Sequence, residues 1–180
     1  LPGTELKITD PTTGATLPDG EVGQIEVRGP NVFLGYWQMP EKTAEELRAD
    51  GFFITGDLGL IDDQGYVQIV GRGKDLIISG GFNIYPKEIE LVLDDQPGVL
   101  ESAVIGVPHA DFGEAPVGVL VAVPGQSPDL GAIMEAVRSQ LARFKHPARL
   151  IVVDELPRNT MGKVQKNVLR DQLANVMAST

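Results

Sequence analysis

A change of pattern at Gly71 constrains this chain more than any other feature. From Leu6 to Val70 apolar residues come in short runs broken by turn formers: LKIT then DPTTG, QIEVR in alternation, and LGLI, DDQG and YVQIV in succession. Alternation of this kind suits half-buried strands. The last pair reads as a hairpin, with Gly65 supplying the positive φ that such a loop needs. One short helix is expected between the strands over MPEKTAEEL, where Pro40 and acids precede a helical run.

Beyond Gly71, strands alternate with longer helices. Pro86 opens KEIELVLDD, which places Ile89, Val92 and Leu93 at helical spacing with proline at the tolerated first position. The continuous apolar runs SAVIGV, VGVLVAV and LIVV predict buried strands. Two more amphipathic helices are marked by Leu130, Ile133, Met134, Val137 and Leu141, and by Val168, Leu169, Leu173, Val176 and Met177. The reading is an α+β chain: a β-rich part, then a small α+β domain from about Lys74 onward. The boundary stretch, GRGKDLIISGGFNIYP, carries four glycines around an apolar core, at a cost to any strand it forms.

Composition narrows the function. Zero cysteines exclude a disulfide scaffold, a thiolate metal site and a cysteine nucleophile, and two histidines argue against a multi-histidine metal centre. No apolar run approaches membrane-spanning length. The net charge of -10 opposes a nucleic-acid partner held through its phosphates. Between Arg143 and Arg170, however, seven Lys and Arg face two acids. That local basic segment suits a small phosphorylated ligand, and a solvated helix face would explain it equally well. Leu1 reads as lying inside a strand or turn, with no initiator Met and no signal pattern, so the chain is expected to be part of a longer one.

Glycine-lysine pairs invite a phosphate-loop reading, which fails. TMGKV lacks Ser or Thr after the lysine and a glycine at the required distance before it, and GRGKD has Asp where a magnesium-holding hydroxyl belongs. No nucleophile elbow for hydrolase chemistry appears either.

Four pieces spread along the chain, QIEVRGPNVFLGYWQMPEKT, FFITGDLGLIDDQGYVQIVGR, GRGKDLIISGGFNIYPKEIE and LPRNTMGKVQKNVLR, resemble in order and spacing the adenylate-forming acyl-CoA synthetase superfamily, and within it the malonyl-CoA synthetases. The resemblance implies an ATP-dependent acid-thiol ligase: a carboxylate and ATP give an acyl-adenylate and pyrophosphate, and the CoA thiol then displaces AMP. It also implies the architecture. Residues 1–71 would be the last β-rich subdomain of the large domain and part of a distorted barrel, 72–74 a hinge, and 75–180 a mobile small domain that presents different faces in the two steps.

Roles carry over residue by residue. Asp57, in Thr55-Gly56-Asp57, matches the acid that receives the ATP ribose hydroxyls, since a carboxylate can accept from both; a turn-capping Asp is the plainer reading. Arg72 matches a junction residue that meets ribose or phosphate, or is a surface charge. Lys74 matches the hinge, with Gly71 and Gly73 lending freedom. Ser79, Gly80 and Gly81 match the border of the pantetheine channel, and the two glycines also fit a type I′ hairpin turn. Lys163 matches the lysine that reaches the α-phosphate and the carboxylate during adenylation. Phe144, Lys145, His146 and Arg149, in FKHPAR, resemble the segment that meets the nucleotide end of CoA, by stacking and by charge. His109 and Trp37 are assigned structural places. The glycine-rich phosphate loop, the acyl pocket and the ligands of Mg²⁺ are expected upstream, so the chain alone is expected to be inactive. Expected partners are the carboxylate, ATP, CoA and the rest of the same chain, in the cytoplasm, with no nucleic acid and no membrane span. An aryl-, medium- or long-chain acyl-CoA ligase and a non-catalytic α+β binding domain are the alternatives.

Overall fold

The computed structural model describes residues 2–177; Leu1 lies outside that range. The described residues are α+β and divide into two compact units between Lys74 and Asp75.

The first unit is one antiparallel sheet of β1 (Glu5–Thr9), β2 (Gly23–Arg28), β3 (Phe53–Ile61) and β4 (Val67–Arg72), in that spatial order, with a short helix α1 (Pro40–Glu46) before β3. The four strands stay open and do not close into a barrel. The β3–β4 hairpin turns at Gly65, φ 82°, as the sequence suggests. Strand β3 is longer than LGLI, because FITGD belongs to it. Thr55-Gly56-Asp57 therefore lies inside a strand and not in a turn. Gly71, expected to be loose, is also within the ladder, opposite Leu58. Beneath the sheet Glu26 is fully buried, hydrogen-bonded by Thr9 at 2.7 Å and by Arg48 at 2.8 Å, with the Lys7 ammonium 3.4 Å away.

The second unit is a five-stranded sheet built around β8 (Gly113–Ala122). Strand β7 (Val99–His109) runs antiparallel along one edge of β8. The other edge is shared by β5 (Ile77–Ser79), which touches it through Ser79 and Gly113, and by β9 (Arg149–Val153), which is parallel to it. Strand β6 (Phe82–Ile84) pairs with β5. Helices α2 (Pro86–Asp94) and α3 (Leu130–Gln140) cover one face, and α4 (Lys166–Leu173) the other.

Period-two alternation explains why the central runs are apolar throughout. Val104 and Leu120 point into the cluster with Ile89, Leu93, Ile133 and Val137, while Ile105, Val117, Val119 and Val121 point into the one with Leu156 and Leu169. Proline stands at the start of α2, and Asp129 caps α3 by accepting from the Gly131 and Ala132 amides. The prediction of a buried strand fails for LIVV: β9 borders the sheet and leaves Val152 exposed. Val176 and Met177 lie beyond the end of α4 yet still pack on the second cluster.

Candidate functional site

Two places in the second unit gather the sequence-derived candidates. The first is a hollow of about 600 Å³ whose walls come from three stretches of chain. The β5–β6 hairpin contributes Ser79, Gly80 and Phe82; its turn holds Gly80 at φ 56° and Gly81 at φ 83°, which fits the type I′ turn that two glycines allow. The β7–β8 turn contributes His109 and Phe112, whose rings stack 4.8 Å apart. The Gly80 amide donates to the Phe112 carbonyl at 2.9 Å, tying the two turns together, and a Cβ on Gly80 would stand 3.3 Å from the Phe112 ring. The third wall is the 3₁₀ turn Arg143–Lys145 and the residues after it. Phe144 stacks on Phe82 at 4.6 Å, and His146 donates from Nε2 to the Leu141 carbonyl at 2.9 Å.

Ser79, Gly80, Phe144 and His146 thus meet in one hollow, whereas Gly81, Lys145 and Arg149 are not among its lining residues. Lys145 turns away to Glu88 at 2.6 Å. The sequence reading missed Phe82, Phe112 and Arg143 and gave His109 a merely structural place; the pairing of Ser79 with Gly113 is what brings these residues together. A hollow walled by flat rings, with a bare-backbone rim and one guanidinium, suits a flat heteroaromatic group attached to a narrow chain.

The second place is the turn that carries Lys163. Asn159 accepts from Gly162 at 2.9 Å and donates to the Lys163 carbonyl at 2.9 Å, with Gly162 at φ 76°, so this is a tight turn closed by a glycine bulge. The Asn159 side chain receives the amides of Met161 and Lys163. Among the described residues no hydrogen bond or ion pair engages the Lys163 ammonium, while Lys87, Lys145 and Lys166 of the same unit each face a carboxylate. A fixed backbone beneath an uncommitted ammonium leaves that charge available to an anion.

In the first unit Asp57 and Arg72 stand opposite each other in β3 and β4 and form an ion pair at 2.7 Å. Lys74 sits in a 3₁₀ turn, Gly73–Asp75, whose Asp75 is held by Arg170 at 2.7 Å. Among the described residues no group of three or more His, Asp or Glu could hold a metal, and no helix is long and apolar enough to cross a membrane.

Comparison with known proteins decides the lineage. The sequence model of the AMP-binding enzyme family matches residues 1–37, and that of the AMP-binding enzyme C-terminal domain matches 88–163. The chain belongs to the AMP-binding enzyme family. Among curated members it is 47% identical over 172 residues to a methyl-dioxo-octahydroindenyl-propanoyl:CoA ligase of Rhodococcus jostii, covering 96% of this chain and 31% of the relative. It is 46% identical over 150 residues to the 2-succinylbenzoate–CoA ligase of Geobacillus kaustophilus, covering 83% and 30%. The chain spans about a third of the length of the curated relatives it matches. The crystal structure of ATP-bound MatB from Rhodopseudomonas palustris is 61% identical, with a TM-score of 0.92 over 98% of this chain and 35% of that one. Apo MatB, over the same shares, gives 0.74.

Proposed function

We propose that this chain is the C-terminal part of an AMP-forming acyl-CoA synthetase. A carboxylate oxygen attacks the α-phosphorus of ATP and pyrophosphate leaves; the CoA sulfur then attacks the acyl carbon, and AMP leaves with the electron pair of the broken C–O bond. The observation that carries this reading is the uncommitted Lys163 ammonium on its braced turn. As negative charge spreads over the phosphoryl oxygens during adenylation, a preset cation lowers the barrier. Asp57 and Arg72 are proposed to receive the ribose hydroxyls and a nucleotide oxygen. Their mutual pair is partly solvated, so parting it costs little.

The hollow is assigned to the thioester step. Ser79, Gly80 and Gly81 would border the pantetheine arm, and Phe144 and His146, joined by Arg143, would meet the nucleotide end of CoA. Lys145 fits that role less well, being engaged by Glu88. Mg²⁺ would accompany ATP and be held by residues outside this chain. Lys74 is proposed as the hinge between 1–71 and 75–180; its place at the division between the two compact units supports that reading. Malonate is the proposed acid, supported by the sequence motifs and by the high identity to MatB, although the curated relatives are named for bulkier acids. The site of action proposed is the cytoplasm, where ATP and CoA are at hand.

The test is carboxylate-dependent pyrophosphate exchange by the full-length enzyme, followed by CoA thioester formation, across malonate, aryl acids and fatty acids. Malonate should support both. Exchange with aryl or fatty acids and not malonate would move the substrate assignment, and exchange with no acid would overturn the activity. The 180-residue chain alone should release no pyrophosphate, because no stretch of it matches the family's phosphate loop.

A further inference from the structure

The turn bearing Lys163 is not held by its own backbone alone. Arg158 lies across it, opposite Val164 in an isolated antiparallel bridge, and its guanidinium forks. One terminal nitrogen donates to the Gly162 carbonyl at 2.6 Å, the peptide immediately before Lys163, and the other pairs with Glu101 on β7. A planar guanidinium can hold two acceptors at a set angle, so this fork fixes the turn to the central sheet. On the far side Lys166, the first residue of α4, reaches Glu90 of α2 at 2.5 Å, and Glu90 also takes the Val104 amide of β7 at 2.9 Å. The stretch 158–166 is therefore pinned at both ends to the sheet and α2, while the Lys163 side chain between them has no partner among the described residues.

We infer that Arg158 is a positioning residue for Lys163: through the Gly162 carbonyl and Glu101 it sets where the Lys163 ammonium stands. This rests on the assignment of Lys163 to adenylation. Arg158 does not touch substrate; its effect passes through one peptide unit. The pair with Glu101 is substantially exposed, with side chains 42% and 31% accessible, so it is a weak source of stability, and its placement against the turn is the better reason for it. A positional error near the reacting atoms is costly even when the fold is intact.

The test uses single-turnover kinetics on the full-length enzyme, with adenylation and CoA transfer from supplied acyl-adenylate measured separately. Arg158→Ala should lower the adenylation rate by about 10- to 100-fold with the KM for ATP nearly unchanged, and leave CoA transfer alone. Arg158→Lys, which keeps the charge and loses the fork, should recover part of that rate. Glu101→Gln, which leaves the bond to Gly162 in place, should fall between wild type and Arg158→Ala, and it serves as the probe if Arg158→Ala does not fold. Lys163→Ala is the control. If Lys163→Ala kills adenylation while Arg158→Ala and Glu101→Gln match wild type, the positioning role is wrong and the role of Lys163 stands. If Lys163→Ala adenylates normally, the assignment of Lys163 fails first. Equal losses in both half-reactions for Arg158→Ala would reduce the residue to a structural one and overturn the inference.

Discussion

Two carboxylates, Glu26 and Glu90, show how differently a buried acid can serve this chain. Glu90 anchors a segment next to the proposed chemistry, whereas Glu26 stabilises the sheet of the first unit. Burial pushes the Glu26 carboxyl up, but hydrogen bonds from Arg48 and Thr9 and the charges of Arg48 and Lys7 outweigh it, and its pKa lies below the ordinary value. The folded state then holds fewer protons on this group than the unfolded state does. Its contribution is full above the unfolded pKa of about 4.3 and is lost as the pH falls through the lower folded value. Glu26→Gln should cost about 3 kcal/mol near neutrality, since it takes the carboxylate partner from the Arg48 guanidinium at a largely buried site and leaves Lys7 only its exposed pair with Asp50. Urea unfolding followed by circular dichroism should show the gap between variant and wild type shrinking in acid. A gap that stays constant from neutral pH into acid would contradict the account.

At the scale of elements, the sequence reading succeeded where one physical signal dominated. Proline at the start of α1 and α2, Gly65 in a hairpin and the paired glycines after Ser79 each announced the local backbone. It fell short where neighbours decide. Thr-Gly-Asp looks like a turn, but pairing with β2 and β4 draws it into β3 with a register shift at Leu58 and Gly59. LIVV looks like a buried strand, but β9 takes a marginal place in the sheet. Among the residues proposed from family motifs Lys74, Gly80, Gly81 and Lys163 lie on recognisable turns and Asp57 and Arg72 in paired strands, whereas Phe82, Phe112 and His109 face one hollow only because two hairpins dock, and no spacing in the sequence records that. Glycines in the first sheet give a direct check of the β3–β4 register. A Cβ on Gly59 would fall 2.4 Å from the Gln68 carbonyl oxygen, which is backbone and cannot swing aside, whereas one on Gly71 would meet nothing within 4 Å. Gly59→Ala should therefore destabilise the first unit by about 1–3 kcal/mol, and Gly71→Ala by much less. Similar unfolding midpoints for the two variants would show the register to be wrong.

For the whole molecule, the proposal is a division of labour. Lys163 serves the first step, the aromatic hollow serves the second, and a backbone change at Lys74 passes between them. Proline at position 74 fixes φ near about −65° and removes an amide donor, while alanine removes only the charge. In the full-length enzyme Lys74→Pro should adenylate nearly normally and transfer to CoA very slowly, with Lys74→Ala much milder, both followed in stopped-flow assays of the separate steps. Alanine as harmful as proline would assign the effect to charge and remove the hinge.

The most direct test crosses the two sites in one experiment. Lys163→Ala and Phe144→Ala are made in the full-length enzyme, and each is assayed in single turnover for acyl-adenylate formation and for thioester formation from supplied acyl-adenylate. Lys163→Ala should lose about 10²–10³ in the first step and little in the second. Phe144→Ala, which breaks the stack with Phe82, should leave the first step intact and raise the CoA concentration needed for the second. Parallel losses in both steps for both variants would contradict two separate sites for two half-reactions.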